Sequence, residues 1–111
     1  MNKYVAVSVG DLRGIGIDLL INLWIEKKVR NFVLFTNIKI FQKYLKKRKL
    51  KFDINIVNHN NSLIIKRGCF NVYTYEINNS YDNTYKSLKL SFQYCKKRLF
   101  KGLVTLPLRK D

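Results

Sequence analysis

Residues Val5 to Asp18 read VAVSVGDLRGIGID, an apolar run feeding a glycine-spaced loop that holds one acid, Asp11. Such a loop suits ligand binding. Glycine admits backbone conformations and close approaches that a side chain blocks, and amides at the start of a following helix point at an anion or a cofactor. The spacing Gly10, Gly14, Gly16 is not the GxGxxG dinucleotide fingerprint, and the chain has no GxxxxGK phosphate loop. Asp11 has two open uses: contact with a ribose hydroxyl, a substrate amine or a metal, or the commoner bond to its own loop amides. Arg13, in the same loop, reads either as a phosphate contact or as a solvated cation.

A second candidate is TLPLRKD near the other end, where Thr105, Arg109 and Lys110 surround a rigid proline. A hydroxyl and two cations suit an anionic substrate by hydrogen bonding and charge, and a charged terminus is the competing explanation. His59 is the single histidine and lies in a polar NHNN segment without Cys, Asp or Glu at metal-ligand spacing, which makes it a solvated loop residue. Cys69 and Cys95 lack CxxC spacing and read as buried, reduced thiols. No Ser-His-Asp set is present.

The elements that must position these residues follow from periodicity. Tyr4 to Val9 is a short β-branched run, a buried strand closed by Gly10. Ile17, Leu20, Ile21, Trp24 and Ile25 recur at helical spacing. Asn31 to Thr36 contains the apolar run Phe32, Val33, Leu34 and Phe35, too short for a helix and read as a strand, and Thr36 and Asn37 then cap a helix whose stripe is Ile38, Phe41, Tyr44 and Leu45. Phe52 to Val57 alternates as a third strand. Leu63 to Ile77 holds one or two more, with a turn at Arg67 and Gly68. From Tyr85, the positions Leu88, Phe92, Cys95 and Leu99 repeat on one helical face, and Leu103 to Leu106 is a last strand that Pro107 keeps from continuing in a central ladder.

Strands alternating with helices of this length specify an α/β unit, a largely parallel sheet covered on both faces in three α/β/α layers. Ligands in such sheets bind beyond the carboxyl ends of the strands, where both Gly10 to Gly16 and Thr105 to Lys110 fall. With 111 residues, 47% of them hydrophobic, the chain suits one domain spanning 1–111. No apolar run approaches the roughly 18 residues of a membrane span, and MNKYVAVSVG lacks a secretion signal's apolar segment, so a cytoplasmic protein is expected. The net charge of +15 raises nucleic acid or another polyanion as partner. The lysines, however, are spread through the predicted helices and turns of a chain also rich in Asn, Ile, Tyr and Phe.

The motif order, GDLRGIGID after the first strand, a helix around YKSLKLSFQYCKKRL, then GLVTLPLRKD, resembles the amino-terminal part of the 4-hydroxythreonine-4-phosphate dehydrogenase family of vitamin B6 biosynthesis. That family opens with a strand and a Gly-Asp-Pro-x-Gly-Ile-Gly-x-Glu loop and later has a strand ending Thr-x-Pro-x-x-Lys. Gly10, Asp11, Gly14, Ile15, Gly16, Thr105, Pro107 and Lys110 match, Asp18 replaces the acid, Leu12 stands where the family has proline, and Arg109 falls in its Pro-Ile-Asn-Lys segment.

The resemblance implies part of a fold similar to isocitrate and isopropylmalate dehydrogenases. It also implies an NAD- or NADP-dependent, divalent-metal-dependent homodimer that oxidises the secondary hydroxyl of 4-phosphooxy-threonine, with decarboxylation as the next step. It puts Gly10, Asp11, Gly14, Ile15 and Gly16 on the cofactor side, and Thr105 and Lys110 on the side of the phosphorylated hydroxy amino acid. The family's Gly-His-Thr-Glu segment, metal-binding histidines and phosphate-binding residues have no counterparts among these residues, so an amino-terminal segment inactive alone is expected. A small basic α/β module for nucleic acid or another polyanion is the alternative. A degenerate remnant is a third.

Overall fold

The structure, a computed structural model, describes residues 3–10, 12, 15–58, 64–79 and 81–107. Its elements in chain order are β1 (Val5–Ser8), α1 (Ile15–Ile25), β2 (Phe32–Phe35), α2 (Ile38–Lys47), β3 (Ile54–Val57), β4 (Phe70–Tyr73), α3 (Tyr81–Lys96) and β5 (Gly102–Thr105). The strands form one sheet in the order β3-β4-β2-β1-β5. Every pairing is parallel.

That order decides the layers. The steps β1 to β2 and β2 to β3 travel the same way across the sheet, so right-handed crossovers put α1 and α2 on one face, whereas β4 to β5 travels back across β2 and β1 and puts α3 on the other. The core divides accordingly. Val7, Leu34, Phe70 and Val72 pack with Ile17, Ile21, Trp24, Phe41 and Leu45 of the first two helices, while Ala6, Val33, Phe35 and Tyr73 point to the α3 side. The period of two along β1, β2 and β4 is what a sheet buried on both faces requires. The result is a three-layer α/β/α fold.

Aromatic packing anchors the α1–α2 layer. Phe70 is fully buried, with the rings of Trp24, Phe32, Phe41 and Phe52 all within 5.4 Å of its centroid. Burying a side chain of that size contributes about 1.5–3 kcal/mol. On the opposite face Asn71, also buried, accepts from the Asn55 amide group at 2.8 Å and from Lys66 N at 3.0 Å, and donates to the carbonyls of Lys66 and Cys69. One side chain thus fastens the segment that leads into β4.

The strand and helix expectations for the first half hold, with α1 starting at Ile15, two residues earlier than the apolar stripe indicates. Asn37 is the N-cap of α2, its side chain accepting from Lys39 N at 3.1 Å and Ile40 N at 3.2 Å. Among the described residues, Leu63 to Ile77 yields one strand, not two. Both cysteines are free but only half-buried, and Cys69 lies in the turn before β4.

α3 is where periodicity misleads. Of the expected stripe, Cys95 and Leu99 are half-buried against the core, but Leu88 and Phe92 are 47% and 57% exposed, and the buried positions are Asn83, Ser87 and Ser91, flanked by half-buried Leu90 and Tyr94. Small polar residues win here because α3 lies across the ends of β1 and β2, whose last amide and carbonyl need hydrogen-bond partners that leucine lacks.

All three helices stop in the same way. Lys27, Lys49 and Arg98 take left-handed conformations, with φ of 62°, 57° and 61°. Each carries the paired closing bonds of a Schellman motif: Lys27 N to Trp24 O with Lys28 N to Leu23 O, Lys49 N to Lys46 O with Leu50 N to Leu45 O, and Arg98 N to Cys95 O with Leu99 N to Tyr94 O. Glycine is the usual residue there, and a side chain in that region costs about 1 kcal/mol.

Candidate functional site

At the carboxyl ends of β1 and β5 the two sequence motifs meet. Ser8 pairs with Thr105, and Leu106 N continues the ladder to Ser8 O at 3.1 Å, which carries Leu106 and Pro107 over the start of the glycine loop. The contact is tight. A β-carbon on Gly10 would lie 2.1 Å from Pro107 O and 2.5 Å from Leu106 O, and one on Gly16 would lie 2.7 Å from Pro107 Cδ. These two glycines are required by the chain's own packing. The Gly10 carbonyl is also taken, accepting from Thr84 Oγ1 at 3.0 Å.

The remaining cofactor-side and substrate-side expectations divide. Ile15 is 83% exposed on the first turn of α1, and Thr105 is exposed at the end of β5. Asp11, Gly14 and Lys110, with Arg13, Arg109 and His59, lie outside the described residues. Asp18, the acid of the resembling motif, faces α2: it accepts a hydrogen bond from the Tyr44 hydroxyl and pairs with Arg48 Nη1 at 3.4 Å. The described residues therefore do not by themselves make a dinucleotide cradle, since the space beside each described loop glycine is filled by Leu106 and Pro107. Nor, among the described residues, does any group of three His, Cys, Asp or Glu come together to hold a metal ion.

The ends of β2 and β4 are organised differently, by side chains that apolar spacing does not mark. Ser87 Oγ accepts from Val9 N at 2.7 Å and donates to Phe35 O at 2.5 Å, bridging the ends of β1 and β2 inside the core. Asn83 Nδ2 donates to Thr36 Oγ1 at 3.0 Å, while its Oδ1 accepts from Asn37 N at 2.9 Å and from the Tyr75 hydroxyl at 2.8 Å. Thr74 Oγ1 accepts from Ile38 N at 3.0 Å, and Asn37 Nδ2 donates to Tyr75 O at 2.6 Å. The first amides of α2 are thus all engaged internally. Asn83, Ser87 and Ser91, polar and four apart on one helix face, are the signal that locates this network in retrospect.

Burial sets the titration here. It pushes the Tyr75 phenol well above the ordinary tyrosine range against a smaller opposing effect of Ser87, and it does the same to Tyr73, helped by the hydroxyl contact and charge of Tyr94 at 2.9 Å. Both phenols stay neutral and act as hydrogen-bonding groups. The Cys95 thiol is also raised by burial, and it donates to Gly102 O at 3.4 Å.

Above this network lies a crevice of about 1200 Å³ between the start of α2, the segment after β4 and the flank of α3. Its charged lining is Lys39, Lys86 and Lys89 against Glu76. It stands where β2 leaves towards one face of the sheet and β4 towards the other, the switch point at which open α/β sheets hold ligands. No protein-family model matches this chain, and no curated protein matches it. Among the described residues no helix is long and apolar enough to cross a membrane.

Proposed function

We propose that this α/β unit is the loop-bearing amino-terminal part of an NAD(P)-dependent dehydrogenase resembling the 4-hydroxythreonine-4-phosphate dehydrogenase family, cytoplasmic and homodimeric in its intact form. One observation supports the reading: the parallel sheet sets Gly10 and Gly16, of the GDLRGIG motif, against Leu106 and Pro107, of the TLPLRK motif, at adjacent strand ends. Two motifs about ninety positions apart are matched to each other in shape, as parts of one site would be.

In this reading Gly10 and Gly16 position the loop. Contacts to cofactor fall to Asp11, Gly14 and exposed Ile15, and contacts to the phosphorylated hydroxy amino acid fall to Thr105 and Lys110. A bound nicotinamide would accept hydride and a divalent metal would polarise the hydroxyl oxygen. One histidine in 111 residues cannot supply a three-histidine metal centre, so the proposal assigns that centre to residues other than these.

The test is to read and express the complete reading frame that contains these residues. A Gly-His-Thr-Glu segment, spaced histidines, and metal-dependent reduction of NAD(P) by 4-phosphooxy-threonine are expected, with Thr105→Val lowering kcat/KM by about tenfold or more through a lost substrate contact. A complete frame that lacks those segments and gives no turnover overturns the reading. Turnover by residues 1–111 alone overturns the assignment of the metal centre elsewhere.

A further inference from the structure

We infer that the crevice over the ends of β2 and β4 is a binding site for a small phosphorylated molecule, held by Lys39, Lys86 and Lys89 and separate from the glycine loop. The inference does not rest on the dehydrogenase reading. Three lysines and one glutamate, Glu76, line a single concavity, so its charged lining is predominantly positive. Asp82 of α3 stands at the crevice edge, accepting from Asn78 N at 3.3 Å, so its carboxylate offsets one further positive charge.

Lys86 is the best placed of the three. Its side chain is half-buried, and its Nζ donates to Glu76 O at 2.7 Å, which holds the ammonium at the crevice wall with two donor positions left over. The floor beneath is stiff, because Asn37, Thr74, Tyr75 and Asn83 are hydrogen-bonded to one another and to the ends of three elements. A preformed concavity of this size takes a metabolite-sized ligand. Lysine ammoniums act on it as point charges, which suits a dianionic phosphomonoester over a single carboxylate.

A second hollow, of about 740 Å³ at the far end of α2, provides the internal control. It is also lined by lysines, Lys46, Lys49 and Lys51, but apart from Gln42 the rest of its lining is Leu45, Leu50, Phe52 and Ile54, whose side chains offer an anion no hydrogen bonds. If net charge alone attracted anions, both places would bind alike.

The experiment titrates the purified chain with pyrophosphate and with inorganic phosphate at low and at moderate salt, following backbone amide shifts by NMR and affinity by calorimetry. Shifts centred on Lys39, Thr74 to Asn79 and Lys86 to Gln93 are expected. Removing two crevice charges in Lys86→Ala/Lys89→Ala should weaken binding by about tenfold, and Lys46→Ala/Lys51→Ala by less than about twofold. The exposed Lys89→Ala variant alone should weaken it about threefold, with a folded spectrum as the check. Equal losses in the two double variants, shifts spread over all the lysines, or no binding at low salt would overturn the site. Tighter binding of duplex DNA through the same three lysines would overturn the small-molecule assignment.

Discussion

The two ends of the sheet's carboxyl edge solve the same problem in opposite ways. At β1 and β5 the chain itself fills the space, Leu106 and Pro107 lying where side chains on Gly10 and Gly16 would be, with Ser87 and Thr84 adding bonds to Val9 N and Gly10 O. At β2 and β4 the strand ends are closed by side chains, chiefly Ser87, Asn83 and Thr74, and an open crevice remains above them. Closure by packing on glycine tolerates no added atom. Closure by side chain tolerates no lost hydrogen bond. The difference teaches that the glycine-rich stretch, the more conspicuous of the two in sequence, is in its described part the more tightly filled.

Gly10 is the most sensitive of these positions. A methyl group there would meet two carbonyl oxygens inside contact distance, so Gly10→Ala should cost more than about 3 kcal/mol, a large part of a small domain's stability, as read by urea unfolding. Next is Ser87→Ala, which adds nothing but leaves Val9 N and Phe35 O buried without partners. A loss of about 2–3 kcal/mol is expected, with Ser87→Thr recovering part of it if the methyl is accommodated.

The smallest effect is a pH dependence. Because burial raises Tyr75 above its unfolded value near 10, its contribution is fully present below about pH 10 and is lost as pH rises further, when the unfolded chain releases a proton that the folded chain keeps. Thermal midpoints should therefore hold up to about pH 9 and fall by pH 11, and Tyr75→Phe should flatten part of that fall at the cost of the hydroxyl proton shared between Asn83 O and Oδ1. A fall of unchanged slope in Tyr75→Phe would place the titration elsewhere.

Much of the fold was legible because two of its signals are local. β2 and α2 share the boundary Thr36–Asn37, an apolar run ending in a capping side chain, and the structure uses Asn37 as that reading requires. Trp24 and Phe41 sit on stripes of helical period and are buried. Where the partner of a residue is distant in sequence, legibility fails. Ser87 reads as a polar interruption of α3 until the ends of β1 and β2, 78 and 52 positions away, are laid beneath it. The Leu88 and Phe92 half of the α3 stripe misled for the same reason, since periodicity measures apolar spacing and not the surface opposite. Gly10 was legible as the residue closing a strand. That Gly10 is needed by Pro107 was not, because a close approach between remote segments leaves no mark in local spacing.

The three helix stops have a consequence for the order in which the chain folds. Lys27, Lys49 and Arg98 oppose the left-handed turn that each helix end requires, so the stops must be imposed by the next segment of chain; Leu50 and Leu99 do this by packing onto the two core clusters. Such ends are set only once the next strand is in place, late on the folding route. Replacing these residues by glycine should then slow unfolding more than it speeds refolding, leaving the early nucleus to the helix centres and the β1–β2 pair.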